Sequence, residues 1–267
     1  MKDVLGQAIA DYFHRSSTAK LWVHTRWGAA DDRADARSAD DGVDTRPPDK
    51  PAGRPLGAEK ELMPVATYFR DADDMPELEW TALRDCKGRI LDIGAGAGSH
   101  ALLLQKMGLD VTGLDISALN AKTMKERGIR KVLRRDFFTL PPAASYDTLL
   151  LLMNGIGIAA TLDGLHLIFQ KARALLRPGG SLIFDSSDVA YLYHGGPPKK
   201  GPYYGEIFYL YEYRRQRTAW FKWLFVDKRT LRRIASQNGW KMKVLFEDDF
   251  NQYLVKCTPN PKVTPSL

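Results

Sequence analysis

Across residues 89–187, short and nearly unbroken apolar runs alternate with stretches that are apolar at every third or fourth position. Ile90, Leu91 and Ile93 make the first run, a pattern that predicts a buried strand. Ser99 opens a predicted helix that carries Leu102, Leu103, Leu104 and Met107 on its inner side, with Gly108 as its stop. Second and third strands are expected over 109–115 and 131–135. The fourth run, 146–153, is apolar at almost every position, as a strand covered on both faces should be. Residues 162–176 return to helical spacing and close on Arg177, Pro178, Gly179 and Gly180, a turn that leads into a fifth strand at 181–185.

Beyond that point, 205–213 and 218–226 alternate like two strands around an arginine-rich turn. Asp227 caps a predicted helix over 228–237, Gly239 stops it, and 240–246 and 252–257 supply the last two strands. At the other end of the chain, Val4, Leu5, Ala8, Ile9, Tyr12 and Phe13 form a single helical stripe. Residues 28–57 differ from everything around them. They consist mostly of Ala, Asp, Arg, Pro and Gly, with Val43 and Leu56 as the large aliphatics. Such a stretch buries too little surface to offset its ordering entropy, so it is expected to be a flexible insertion.

The remaining composition narrows the class. With 267 residues and 44% hydrophobic content, the chain can build one sizeable α/β domain with additions. No apolar run reaches the length of a membrane span, and the N-terminus lacks the apolar core of a signal peptide. Cys86 and Cys257 stand far apart and read as free thiols of a cytoplasmic protein. The five histidines are scattered, so no metal site is expected.

Candidate chemistry concentrates after the first strand. Asp92 precedes Gly94, Ala95, Gly96, Ala97 and Gly98, which together make a bare-backbone turn running straight into a helix. A strand, a glycine turn and a helix N-terminus form a crevice for a nucleotide-like ligand. A dinucleotide fold would place a third glycine where Ser99 stands. The spacing is G-x-G-x-G instead, and it resembles motif I of the class I S-adenosylmethionine-dependent methyltransferases. Asp115, with Ile116 after it, lies 17 residues beyond Gly98, at the end of the second strand, where an acid meets a ribose diol in α/β nucleotide folds. The Leu-Arg-Pro-Gly-Gly turn at 176–180 is also familiar from that family.

The resemblance covers about a hundred residues and implies S-adenosyl-L-methionine as cofactor. It implies that Asp136 faces the adenine amino group and that the Phe137 backbone reaches a ring nitrogen, with Phe137 or Phe138 on the base. Asn154, at the end of the fourth strand, is expected beside the methyl donor. Its surroundings lack the Pro-Pro-aromatic tetrad of DNA amino-methylases. Arg70 is a candidate partner for the cofactor's carboxylate or a surface residue. The fold implied is a doubly wound, seven-stranded and mostly parallel α/β sheet with an antiparallel last strand. The domain would span 58–258, with a helical cover over 1–27 and a tail at 259–267. The inserted hairpin within 186–226 would cap the acceptor pocket.

Catalytic residues are unassigned. His100, Asp188, His194 and Glu206 are positional candidates for a base, needed only if the acceptor arrives protonated. The aromatic residues Tyr191, Tyr193, Tyr203, Tyr204, Tyr209 and Trp223 favour a small-molecule acceptor. From Lys199 to Lys243 there are 12 Lys or Arg against Glu206, Glu212 and Asp227, which keeps RNA methylation open. A non-catalytic cofactor-binding protein is the third reading. Oligomeric state is not legible.

Overall fold

The computed structural model describes residues 3–28 and 56–260. In chain order the elements are α1 (Val4–Phe13), β1 (Leu21–Trp27), β2 (Gly57–Met63), α2 (Glu77–Asp85), β3 (Arg89–Ile93) and α3 (Ser99–Lys106). Next come β4 (Asp110–Asp115), α4 (Ala118–Glu126), β5 (Val132–Arg134), β6 (Tyr146–Leu151), α5 (Leu162–Leu175) and β7 (Leu176–Ser187). The chain finishes with β8 (Glu206–Tyr213), β9 (Gln216–Arg217), β10 (Phe221–Leu224), α6 (Lys228–Gln237), β11 (Trp240–Glu247) and β12 (Gln252–Pro259).

A seven-stranded sheet runs in the order β11-β12-β7-β6-β3-β4-β5. Its central strands pair in parallel, and β12 is antiparallel to both of its neighbours. Alternation along each strand feeds two cores. Leu91, Leu149, Leu151 and Phe184 pack with Leu165, Ile168 and Phe169 of α5. Ile90, Leu150 and Ile183 pack on the opposite side with Leu83 of α2 and Leu104 of α3. Burying each such aliphatic side chain is worth about 1.5–3 kcal/mol, which is why the apolar runs are strands covered on both faces. Among the described residues no helix is long and apolar enough to cross a membrane.

Three local readings change. The cap of α3 is Gly98, held at φ +82°, one residue earlier than Ser99. On α3 the buried face is Ala101, Leu103 and Leu104, whereas Leu102 is half-buried and Met107 is exposed. The N-terminal cover is helical only over α1; Leu21–Trp27 is a strand.

That strand creates a second, antiparallel sheet in the order β10-β8-β1-β2, with β9 paired to β8. The hairpin expected near 205–226 is therefore part of a larger sheet completed by the N-terminal segment. Its tight turn is Arg214 and Arg215, both at positive φ, which fits the twist of a two-residue hairpin. The expected flexible insertion at 28–57 lies almost wholly outside the described residues, as does most of the tail from 261. Its two ends meet, since Leu56 N–H donates to Trp27 O at 2.9 Å and Trp27 pairs with Gly57.

Candidate active site

The glycine turn leaves the C-terminal end of β3, and its three glycines do different work. Gly94, Gly96 and Gly98 all hold positive φ (+71°, +58° and +82°), a region that L side chains rarely adopt. A Cβ on Gly98 would run into Ile129 and Met124, so this glycine serves packing. A Cβ on Gly96 would lie 3.3 Å from the Tyr68 ring. A Cβ on Gly94 would meet no protein atom within 4 Å, so a ligand can approach bare backbone there. The Gly94 and Ala95 N–H groups both donate to Leu114 O, tying the turn to the end of β4.

Asp92 lies under this turn, 1% exposed, and its Oδ2 has no hydrogen-bond partner. Burial raises its carboxyl to about 6, although nearby His100 pulls it down. An unpartnered buried carboxylate oxygen beside an open backbone cradle suits a ligand that brings a positively charged donor.

Asp115, at the end of β4, accepts from Gly96 N–H at 2.9 Å, Ser117 N–H at 2.8 Å and Asn120 Nδ2 at 3.1 Å. Burial still raises its pKa. Ile116 beside it is 68% exposed. At the end of β5, Asp136 accepts from Phe138 N–H. The Phe137 ring is buried in the core, so Phe138 offers the exposed ring of the pair.

Asn154 follows β6 in a left-handed conformation. Its carbonyl accepts from Gly157 N–H and from Trp223 Nε1, and its Nδ2 donates to Leu224 O. Its backbone N–H donates to Asp185, whose fully buried carboxyl is pushed up to about 7. The backbone carbonyl and the side-chain amide nitrogen are thus tied to the second sheet, and Oδ1 is buried without a partner.

Arg70 is neither free nor on the surface. It pairs with Glu79 of α2, whose other oxygen meets His100 Nε2 at 2.6 Å. Burial works to raise the Glu79 carboxyl, and His100 and Arg70 outweigh it, leaving the pKa lowered. Sequence reading missed Glu79, because a lone acid on an amphipathic helix carries no signal until its fold partners are known.

The other expected residues divide. His100 is committed to Glu79, and Asp188 accepts from Tyr204 OH and Ala190 N–H. Glu206 accepts from Leu162 N–H and Lys222, and His194 is exposed. Among the aromatics, Tyr193, Tyr203 and Tyr204 direct their hydroxyls to Tyr204 O, Asp227 and Asp188. These three brace the loop after β7. Tyr209 packs among Phe221, Trp223 and Phe225.

Strand register puts Tyr209, Tyr211, Phe221 and Trp223 on one face of the second sheet, with Val23 and Thr25 between β8 and β2. Tyr68 connects this face to the glycine turn: its hydroxyl meets Met63 Sδ at 3.3 Å, and its ring lies beside the place of a Gly96 Cβ. Burial raises the Tyr68 hydroxyl well above the ordinary range, and Tyr211, Tyr209 and Asp115 add to the rise. The antiparallel sheet is thus a roof over the C-terminal edge of the parallel one. Tyr211 is a further roof residue that sequence reading did not place, although the alternation in 205–213 contained it.

Four of the twelve cations between Lys199 and Lys243 are engaged elsewhere, one of them Lys222 on Glu206. Arg214 bonds Ser16, Ser17 and Asp11, and Arg217 bonds Glu212. Lys228 pairs with Glu247.

Comparison with known proteins agrees with this geometry. A family model described as a methyltransferase domain matches residues 90–180. The structure resembles an S-adenosylmethionine-dependent methyltransferase from Bacteroides fragilis crystallised with S-adenosyl-L-homocysteine. The two are 35% identical, with a TM-score of 0.78 and coverage of 97% of this chain and 95% of that one. PH0226 from Pyrococcus horikoshii OT3 shares the fold at 17% identity, TM-score 0.53, and coverage of 68% and 87%. The CcbJ methyltransferase from Streptomyces caelestis does so at 13% identity, TM-score 0.54, and coverage of 70% and 94%. Among curated proteins no sequence match was found.

Proposed function

Because this chain belongs to the S-adenosylmethionine-dependent methyltransferases, we propose that its acceptor is a small molecule enclosed between the glycine turn and the aromatic roof. The observation that carries this reading is the composition of the roof. Tyr68, Tyr209, Tyr211 and Phe221 are half-buried, and no Lys, Arg or His of the five roof strands shares their face. A polyanion needs cations where it docks, and the sheet keeps them on its other side.

On the cofactor side, Gly94 leaves room for close approach, and the Asp92 carboxylate holds the ammonium of the methionine part. Asp115 presents its remaining acceptor capacity to the ribose, and Asp136 with the exposed Phe138 receives the base. Ile116 supplies an apolar edge. Arg70 acts through Glu79 and His100 to set the charge around Asp92.

Bound S-adenosylmethionine supplies a methyl group already activated by its sulfonium charge. The chain's own contribution is alignment and exclusion of water, which can lower a barrier by roughly 7–11 kcal/mol. Tyr68 closes the gap between turn and roof, and the Asn154–Trp223 bond holds β10 against the end of β6. A labelled-methyl transfer assay on extract separated into RNA, protein and small-metabolite fractions tests the reading. Label is expected in the metabolites; label confined to RNA overturns it.

A further inference from the structure

The roof is sorted by charge. Pairing of Val23 with Glu61 and Tyr211, and of Thr25 with Glu59 and Tyr209, sets both glutamates on the aromatic face. His24, Arg26, Lys60, Arg217 and Lys222 all fall on the opposite face. Glu206 and Glu212 share that opposite face, where Glu212 pairs with His24, Lys60 and Arg217 and Glu206 with Lys222. Among the described residues, neither Glu59 nor Glu61 has such a partner, in a chain whose formal net charge is +7.

Two carboxylates on alternate residues of one strand stand about 7 Å apart. They repel each other, and an intervening cation relieves that repulsion. Tyr191, in the loop after β7, lies near both: burial raises its hydroxyl, and Glu59 and Glu61 raise it further. Burial raises the Tyr209 hydroxyl as well, with Tyr211, Glu61 and Tyr191 adding to the rise. Glu59, Glu61 and Tyr191 are all exposed, so the two acids stand at the solvent-facing rim of the face that carries Tyr209 and Tyr211. Tyrosine faces attract cations through the ring quadrupole, and carboxylates accept charged N–H bonds.

We propose that the methyl acceptor carries a protonated amine, held by Glu59 and Glu61 against the rings of Tyr191 and Tyr209. This rests on the small-molecule reading above and narrows it to cationic compounds. Glu59 and Glu61 act in recognition, and the atom that receives the methyl group is a separate matter from the ammonium they hold.

The test uses the full chain and the labelled metabolite product of the extract assay. That product, resolved from unreacted donor by chromatography, is passed over a cation exchanger at pH 7. Retention is expected, and a neutral or anionic product overturns the proposal. The double variant Glu59→Gln, Glu61→Gln should then raise KM for the purified acceptor fraction at least tenfold. Its KM for S-adenosylmethionine and its affinity for S-adenosylhomocysteine should stay within twofold. Lys60→Gln, on the opposite face, should leave acceptor KM unchanged. An unaltered acceptor KM in the double variant overturns the proposal. Label in RNA, or in no small molecule at all, overturns instead the reading on which it rests.

Discussion

Replacing Asp92 by Asn separates the ligand role of this carboxylate from its role in stability. The side chain keeps its shape and loses its charge. If Oδ2 receives the cofactor's ammonium, the variant loses one charge-assisted hydrogen bond, worth about 1.5–3 kcal/mol. At about 1.4 kcal/mol per factor of ten, affinity for S-adenosylhomocysteine should fall roughly 10- to 150-fold. The ligand-free protein should respond differently. A carboxyl raised from 3.8 to about 6 costs about 3 kcal/mol more to ionise at pH 8 than an ordinary one. Asn removes that term and adds about 1–3 kcal/mol for its own unpartnered amide. The two nearly offset, so the melting temperature at pH 8 should move by only a few degrees. Calorimetric titration and a thermal melt measure both quantities. In the native protein, affinity should also fall about tenfold per pH unit below 6, where the carboxylate protonates, and this slope should vanish in the variant. Affinity within threefold of the native protein at pH 8 would refute the argument.

Three further outcomes follow from the same geometry. Gly94→Ala should remain folded, with strain of about 1–2 kcal/mol, yet lose cofactor binding; Gly98→Ala should melt several degrees lower because its Cβ meets Ile129 and Met124, and equal melts would contradict the division of labour. Asp185, raised to about 7, binds a proton more readily in the folded chain, so its contribution to stability falls as pH rises from about 4 to 7; Asp185→Asn should flatten that part of the pH–stability curve, as read by denaturant melts. Replacing 29–55 with a two-residue Asn-Gly turn should leave the melting temperature within about 3 °C, because Trp27 and Gly57 are already paired; a larger drop on calorimetry would show that the segment supports the roof.

Much of the parallel domain was legible in the chain, because its signals are local. An unbroken apolar run such as Leu149–Leu150–Leu151 has to be covered on both faces, and a glycine turn followed by a helix makes its crevice without distant partners. The roof was not read in full. In β1, Leu21, Val23 and Trp27 alternate with Trp22, His24 and Arg26, a period-two signal that the neighbouring helical stripe of α1 obscured. Its pairing partners are β2, beyond residues 29–55, and β8, nearly 190 residues further along (Trp22 with Glu212).

What the sequence determined by itself was the order of strands and helices from residue 89 onward, the glycine turn and the acids at the strand ends, since periodicity and backbone chemistry act over a few residues. Only the tertiary structure decided which side chains remained available to a ligand. His100 looked like a base until α2 brought Glu79 to it, and Arg70 was taken by the same carboxylate. Asp92 retained an orphan oxygen because no element delivered a donor. Glu59 and Glu61 gained meaning only once register set every roof cation on the other face. Hydrogen bonding and charge are settled by neighbours in space, and a linear chain does not state them.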